Sequence, residues 1–131
     1  MRALRWPRFW LGLWFLAIAL VVVLSLTPPP ELDAPLPPHF DKLEHFAAYS
    51  ALAFGAVQLF ARRSVLALVA VLLVALGIAL EYAQGALTHG LRERDGFDAL
   101  ANSLGVAAGM ACAATPLKHC AQRLESWWSK R

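Results

Sequence analysis

Two cysteines in 131 residues, Cys112 within an apolar run and Cys120 in a basic tail, do not make the framework of a disulfide-stapled secreted domain. Charge is scarce as well: 16% of residues, where a soluble domain carries about 25%. Apolar residues make up 59%. The chain has no internal repeat of the kind transporters use and no tight metal motif such as HExxH. Its basic residues form no patch interleaved with aromatics, which argues against nucleic acid as a partner. What is present is length without charge. Four stretches of about 16 to 18 residues fill most of the chain and leave no room for a separate soluble domain.

The first stretch, Phe9–Leu26, follows Arg2, Arg5 and Arg8. Its helical length of about 27 Å approaches the roughly 30 Å hydrocarbon core of a bilayer. It exceeds a signal-peptide h-region and ends in Ser25-Leu26-Thr27-Pro28 rather than a small-x-small cleavage site, so it is expected to stay as a first span. Six of the eight prolines lie between Thr27 and His39 and predict an extended connector. Further spans are expected at 46–61, 65–80 and 99–115, with a polar loop from Glu81 to Asp98. In the basic tail, Leu117, Ala121, Leu124 and Trp128 fall at helical spacing. Trp127 and Trp128 suit a membrane interface. The expected fold is all-α and polytopic: a bundle of four transmembrane helices with a short cytoplasmic C-terminal amphipathic helix.

Four spans place both termini on one side. Arg2, Arg5, Arg8, Arg62, Arg63, Lys118, Arg123, Lys130 and Arg131 lie there, against Lys42, Arg92 and Arg94 opposite. This asymmetry predicts cytoplasmic termini. Acidic residues divide the other way, with only Glu125 inside and Glu31, Asp33, Asp41, Glu44, Glu81, Glu93, Asp95 and Asp98 outside. The formal charge of +3 thus separates into +8 inside (nine basic, one acidic) and −5 outside (three basic, eight acidic).

The outer polar residues fall on helix faces. Asp41, His45 and Tyr49 are spaced i, i+4, i+8, and Glu81 and Gln84 i, i+3. Asp95, Asp98, Asn102, Gly105 and Gly109 share one face entering the last span, where the two glycines form a GxxxG packing step. Unpaired polar groups in hydrocarbon cost several kcal/mol each, so these stripes are expected to face one another or a pocket.

Two blocks carry a resemblance. Asp41-Lys42-Leu43-Glu44-His45-Phe46-Ala47-Ala48-Tyr49 resembles the D-K-x-x-H-F-x-x-Y pattern of the VanZ-like family of small bacterial membrane proteins. Glu81-x-x-Gln84 followed by Arg92-x-x-Asp95-x-x-Asp98-x-x-x-Asn102-x-x-Gly105-x-x-x-Gly109 resembles its second motif. Gly85–Leu91 departs from the family in lacking a proline or aromatic. The family takes its name from a member that accompanies glycopeptide resistance genes and lowers sensitivity to teicoplanin. The resemblance implies a multi-pass protein of the bacterial cytoplasmic membrane and a link to the cell envelope.

Three readings fit these residues. In the favoured one, Asp41, Lys42, His45, Tyr49, Glu81, Gln84, Arg92, Asp95, Asp98 and Asn102 form an outer pocket for a membrane lipid, a lipid-linked cell-wall precursor or a lipophilic glycopeptide. Arg92 and Lys42 would meet phosphate or carboxylate by charge-assisted hydrogen bonds. In the second, an intramembrane enzyme uses His45 as general base, oriented by Asp41, with Asp95 or Asp98 as partner acid. No serine or cysteine nucleophile stands in that outer cluster, and the reading leans away from an enzyme. A metal variant would recruit His45, His89, Glu81 and Asp95; neither a metal nor another cofactor is expected. In the third reading the cluster only fastens the bundle.

Overall fold

The structure, a computed structural model, describes residues 1–27, 39–87 and 96–130. The described residues are helical with no strand: α1 (Pro7–Leu26), α2 (Phe40–Leu59), α3 (Arg63–Leu87), α4 (Gly96–Ala111) and α5 (Cys120–Trp128). Two 3₁₀ turns, Cys112–Ala114 and Pro116–His119, join α4 to α5. The expected proline connector, apart from its ends at Thr27 and His39, lies outside the described residues.

Pro7 opens α1, where its fixed φ suits a first turn and its missing N–H costs nothing. The helix stops at Thr27, whose backbone turns extended while its hydroxyl donates to Val23 O at 2.7 Å. No residue of α1 is buried, and Phe9, Leu13, Leu16, Leu20 and Leu24 stand exposed. A helix this apolar and this bare needs a lipid solvent. Three segments are long and apolar enough to cross a membrane: Pro7–Leu26, Arg63–Ala86 and Gly96–Ala114.

The fourth expected span, 46–61, falls on α2, running two residues past its end, and α2 is not among the three. Lys42, Glu44, His45, Ser50 and Gln58 interrupt its apolarity. Instead α2 is the element the others surround. It buries Tyr49, Leu52, Ala53, Ala56, Val57, Gln58 and Leu59. Leu66, Val69 and Leu73 of α3 and Val106 of α4 join that core, with Trp14, Ala17, Ile18 and Val21 of α1 against it. Because α2 is covered by protein, it has less need of an apolar exterior than α1. Small residues set how closely its neighbours approach. A side chain at Gly105 would strike Phe46 O, and one at Gly109 would strike Ser50 O, so α4 lies backbone against backbone on α2.

The chain termini gather at one end of the bundle. Arg2 donates from its backbone N–H to Leu59 O and from Nε to Val57 O, both at 2.7 Å. Gln58 donates from Nε2 to Leu117 O and accepts from Ala121 N–H, each at 3.1 Å. Glu125, 5% exposed, accepts from the N–H groups of Arg5 and Trp6 and from the Trp10 indole, at 2.7, 3.0 and 2.8 Å. It serves donors at the start of α1, which has no side-chain cap of its own. Burial pushes the Glu125 carboxyl up; the hydrogen bonds from Arg5, Trp6 and Trp10, helped by the Arg5 charge, outweigh it and hold the group below its ordinary range. The buried face of α5 is therefore Ala121 and Glu125, while Leu117, Leu124, Trp127 and Trp128 are exposed.

Candidate functional site

At the opposite end, the first turns of α2 and α4 meet the last turns of α3. The helices run further than the apolar stretches: residues 40–45, 81–87 and 96–98 are all helical. The expected polar loop from Glu81 to Asp98 is thus helical at both its ends. Charge limits how far a helix faces lipid, but it does not break a helix whose polar groups have protein partners.

This extension carries polar side chains into the bundle. Glu81, Gln84, Asp98 and Asn102 are buried, and Tyr49 is 1% exposed. Lys42 Nζ lies 3.1 Å from both Asp41 Oδ2 and Asp98 Oδ1. His45 Nδ1 stands 3.0 Å from Asn102 Oδ1 and 3.9 Å from Glu81 Oε1, while its Nε2 stands 3.9 Å from Asp98 Oδ2. Gln84 donates from Nε2 to Ser25 O of α1 at 2.8 Å. Gly77 opens the space beneath: a Cβ there would meet Asn102 at 3.1 Å and the Tyr49 ring at 3.3 Å.

The expected pairing of Asp41 with His45 is replaced. Asp41 is mostly exposed and bound to Lys42, and Asn102 takes the place beside Nδ1. An amide oxygen facing Nδ1 calls for a proton there, which in the neutral ring leaves Nε2 as the acceptor. Glu81 and Asp98 therefore flank different ring nitrogens, an arrangement suited to an imidazole that carries a proton on either side. One ligand atom each from His45, Glu81 and Asp98 lies within 4.8 Å of the others, the spacing of a metal-ligand set. Of the residues a metal variant would recruit, His89 and Asp95 lie outside the described residues, as does Arg92 of the expected pocket.

Tyr49 completes the cluster. Helical side chains lean toward the N-terminus of their helix, which for α2 is this end. The Tyr49 hydroxyl is near enough to Glu81 for that charge to act on it. It is buried and has no hydrogen-bond partner among the described residues.

The site thus unites Lys42, His45, Tyr49, Glu81, Asp98 and Asn102, with Asp41 at its rim and Gln84 linking α3 to α1. Gly105 and Gly109 lie on the same face of α4 and hold it against α2. Of the residues that organise the terminal end, Gln58 carried no signal in the sequence, and Glu125 stood out only as the one acid expected on the basic side. No family model, curated protein or solved structure matches the chain.

Proposed function

We propose that the chain is a VanZ-like, multi-pass protein of the bacterial cytoplasmic membrane that binds an envelope lipid, a lipid-linked wall precursor or a lipophilic glycopeptide on the outer face. Four helices cross the bilayer, α2 among them, and both termini are cytoplasmic. The packing of α2 among three apolar helices, antiparallel to α1 and α3 and parallel to α4, supports the fourth crossing, and the excess of basic residues at the terminal end supports the orientation. One observation carries the binding role: polar groups from three helices converge in a buried cluster where the Tyr49 hydroxyl lacks a hydrogen bond among the described residues. Buried polar groups are ordinarily satisfied, and a headgroup oxygen supplies what is missing. Lys42, already beside Asp98, offers a cation for phosphate or carboxylate.

Lipid profiling of the purified protein tests this. The wild type is expected to retain a discrete lipid that Asp98→Asn and Arg92→Ala lose, with thermal stability in detergent preserved. Equal lipid content in all three overturns the binding role. Loss of stability in proportion to lipid favours a purely fastening cluster.

The imidazole flanked by acids supports a second reading, general acid–base chemistry on a lipid headgroup with His45 as the base. Turnover of envelope lipids by the wild type and not by His45→Ala is its expected signature; equal rates overturn it.

A further inference from the structure

The terminal end carries a groove that none of the preceding features uses. It encloses about 520 Å³ between the first turns of α3 and the end of α4. Arg2, Arg63 and Lys118 stand at its rim, and Leu66, Ala70 and Met110 are among the apolar residues that line it. Among the described residues no acidic one lines it. Among the described residues neither Arg63 nor Lys118 has an ion-pair or hydrogen-bond partner for its side chain, and Arg2 spends its Nε on a neutral carbonyl, Val57 O. Among the described residues the one acid at this end, Glu125, is consumed by Arg5, Trp6 and Trp10. The rim charges are thus uncompensated by protein.

The groove floor belongs to two of the apolar helices, Arg63–Ala86 and Gly96–Ala114, and on the topology proposed above lies where both reach the cytoplasmic membrane surface. We infer that this groove seats an anionic phospholipid, with its phosphate among Arg2, Arg63 and Lys118 and an acyl chain along the alanine-rich floor. Charge complementarity selects the headgroup; a small anion would leave the apolar floor uncovered. Basic pockets between helices at the cytoplasmic surface hold anionic lipids by this combination. The inference concerns the end opposite the His45 cluster, so its failure leaves the proposed function untouched.

The test uses the full-length protein in detergent, titrated with phosphatidylglycerol or phosphatidylcholine and read by native mass spectrometry. Phosphatidylglycerol is expected to bind at least tenfold more tightly. At about 1 kcal/mol per basic side chain near a headgroup, Arg63→Gln with Lys118→Gln should weaken it about 30-fold and leave phosphatidylcholine unchanged. Ala67→Trp, at an exposed position lining the groove, keeps every charge but fills the acyl path, and should also weaken phosphatidylglycerol. Equal binding of the two lipids overturns the inference. So does an unchanged affinity in the double variant, or competition by inorganic phosphate at the lipid's own concentration. If Ala67→Trp binds as the wild type does, the charges act by surface attraction and the groove is not a site.

Discussion

The two ends of the bundle are built from similar residue types and differ in how fully those residues are satisfied. At the terminal end, Glu125 receives three hydrogen bonds and the Gln58 amide is used at both its oxygen and its nitrogen. At the opposite end, His45 stands 3.9 Å from each of two carboxylates, beyond hydrogen-bonding distance, and the Tyr49 hydroxyl lacks a partner among the described residues. A polar group that is saturated by its own chain contributes to holding the chain together. One left short by the fold is available to something else, and that contrast, rather than burial or charge, separates clasp from site.

Substitutions can break this comparison. The largest effect is expected between the ends: Gly109→Val drives a side chain into the α2 backbone at Ser50, which has no way to yield. It should cost about 3 kcal/mol or more and disturb both ends together, as measured by unfolding in detergent. Glu125→Ala should come next, at about 2 to 3 kcal/mol, because it strands the N–H groups of Arg5 and Trp6. Exchange of those amides with solvent deuterium should rise while ligand retention at the other end stays intact. Asp98→Asn should cost only about 1 kcal/mol, since Lys42 keeps Asp41, yet abolish retention of the lipid proposed for that end. If Asp98→Asn proves as destabilising as Glu125→Ala, the two ends are alike and both are clasps.

The smallest effect is in acid. Glu125 has its proton affinity lowered in the folded state, so the unfolded chain binds the proton more readily and stability rises with pH through that range. The contribution is whole above the ordinary glutamate value of about 4.3 and fades as pH falls through the lower folded value. Glu125→Gln should flatten that part of the stability profile. A profile with the same slope in both proteins would remove the carboxylate from the clasp.

Much of this was legible from spacing. Asp98, Asn102, Gly105 and Gly109 recur at helical steps, so their sharing of a face follows from geometry alone, and the structure turns that face onto α2. The apolar stretches located the helices but misjudged their ends, because lipid exposure and helix length are separate quantities. Asp41 and His45 share a face by spacing, yet Asp41 in the first turn reaches solvent and Lys42. The terminal clasp was not legible. Glu125 meets backbone groups of residues 119 and 120 positions away, and backbone groups carry no residue identity for a sequence pattern to display.

One consequence follows for the first helix. Glu125 serves donors at its start, Trp14 Nε1 donates to Leu52 O at 2.8 Å near its middle, and Gln84 binds Ser25 O in its last turn. Three polar links at three heights leave α1 a single rotational setting, although none of its side chains is buried. An apolar helix with no buried residue is therefore fixed as a stave of the bundle. Cutting it away would strip partners from a carboxylate, a carbonyl and an amide at three separate depths of the remaining protein.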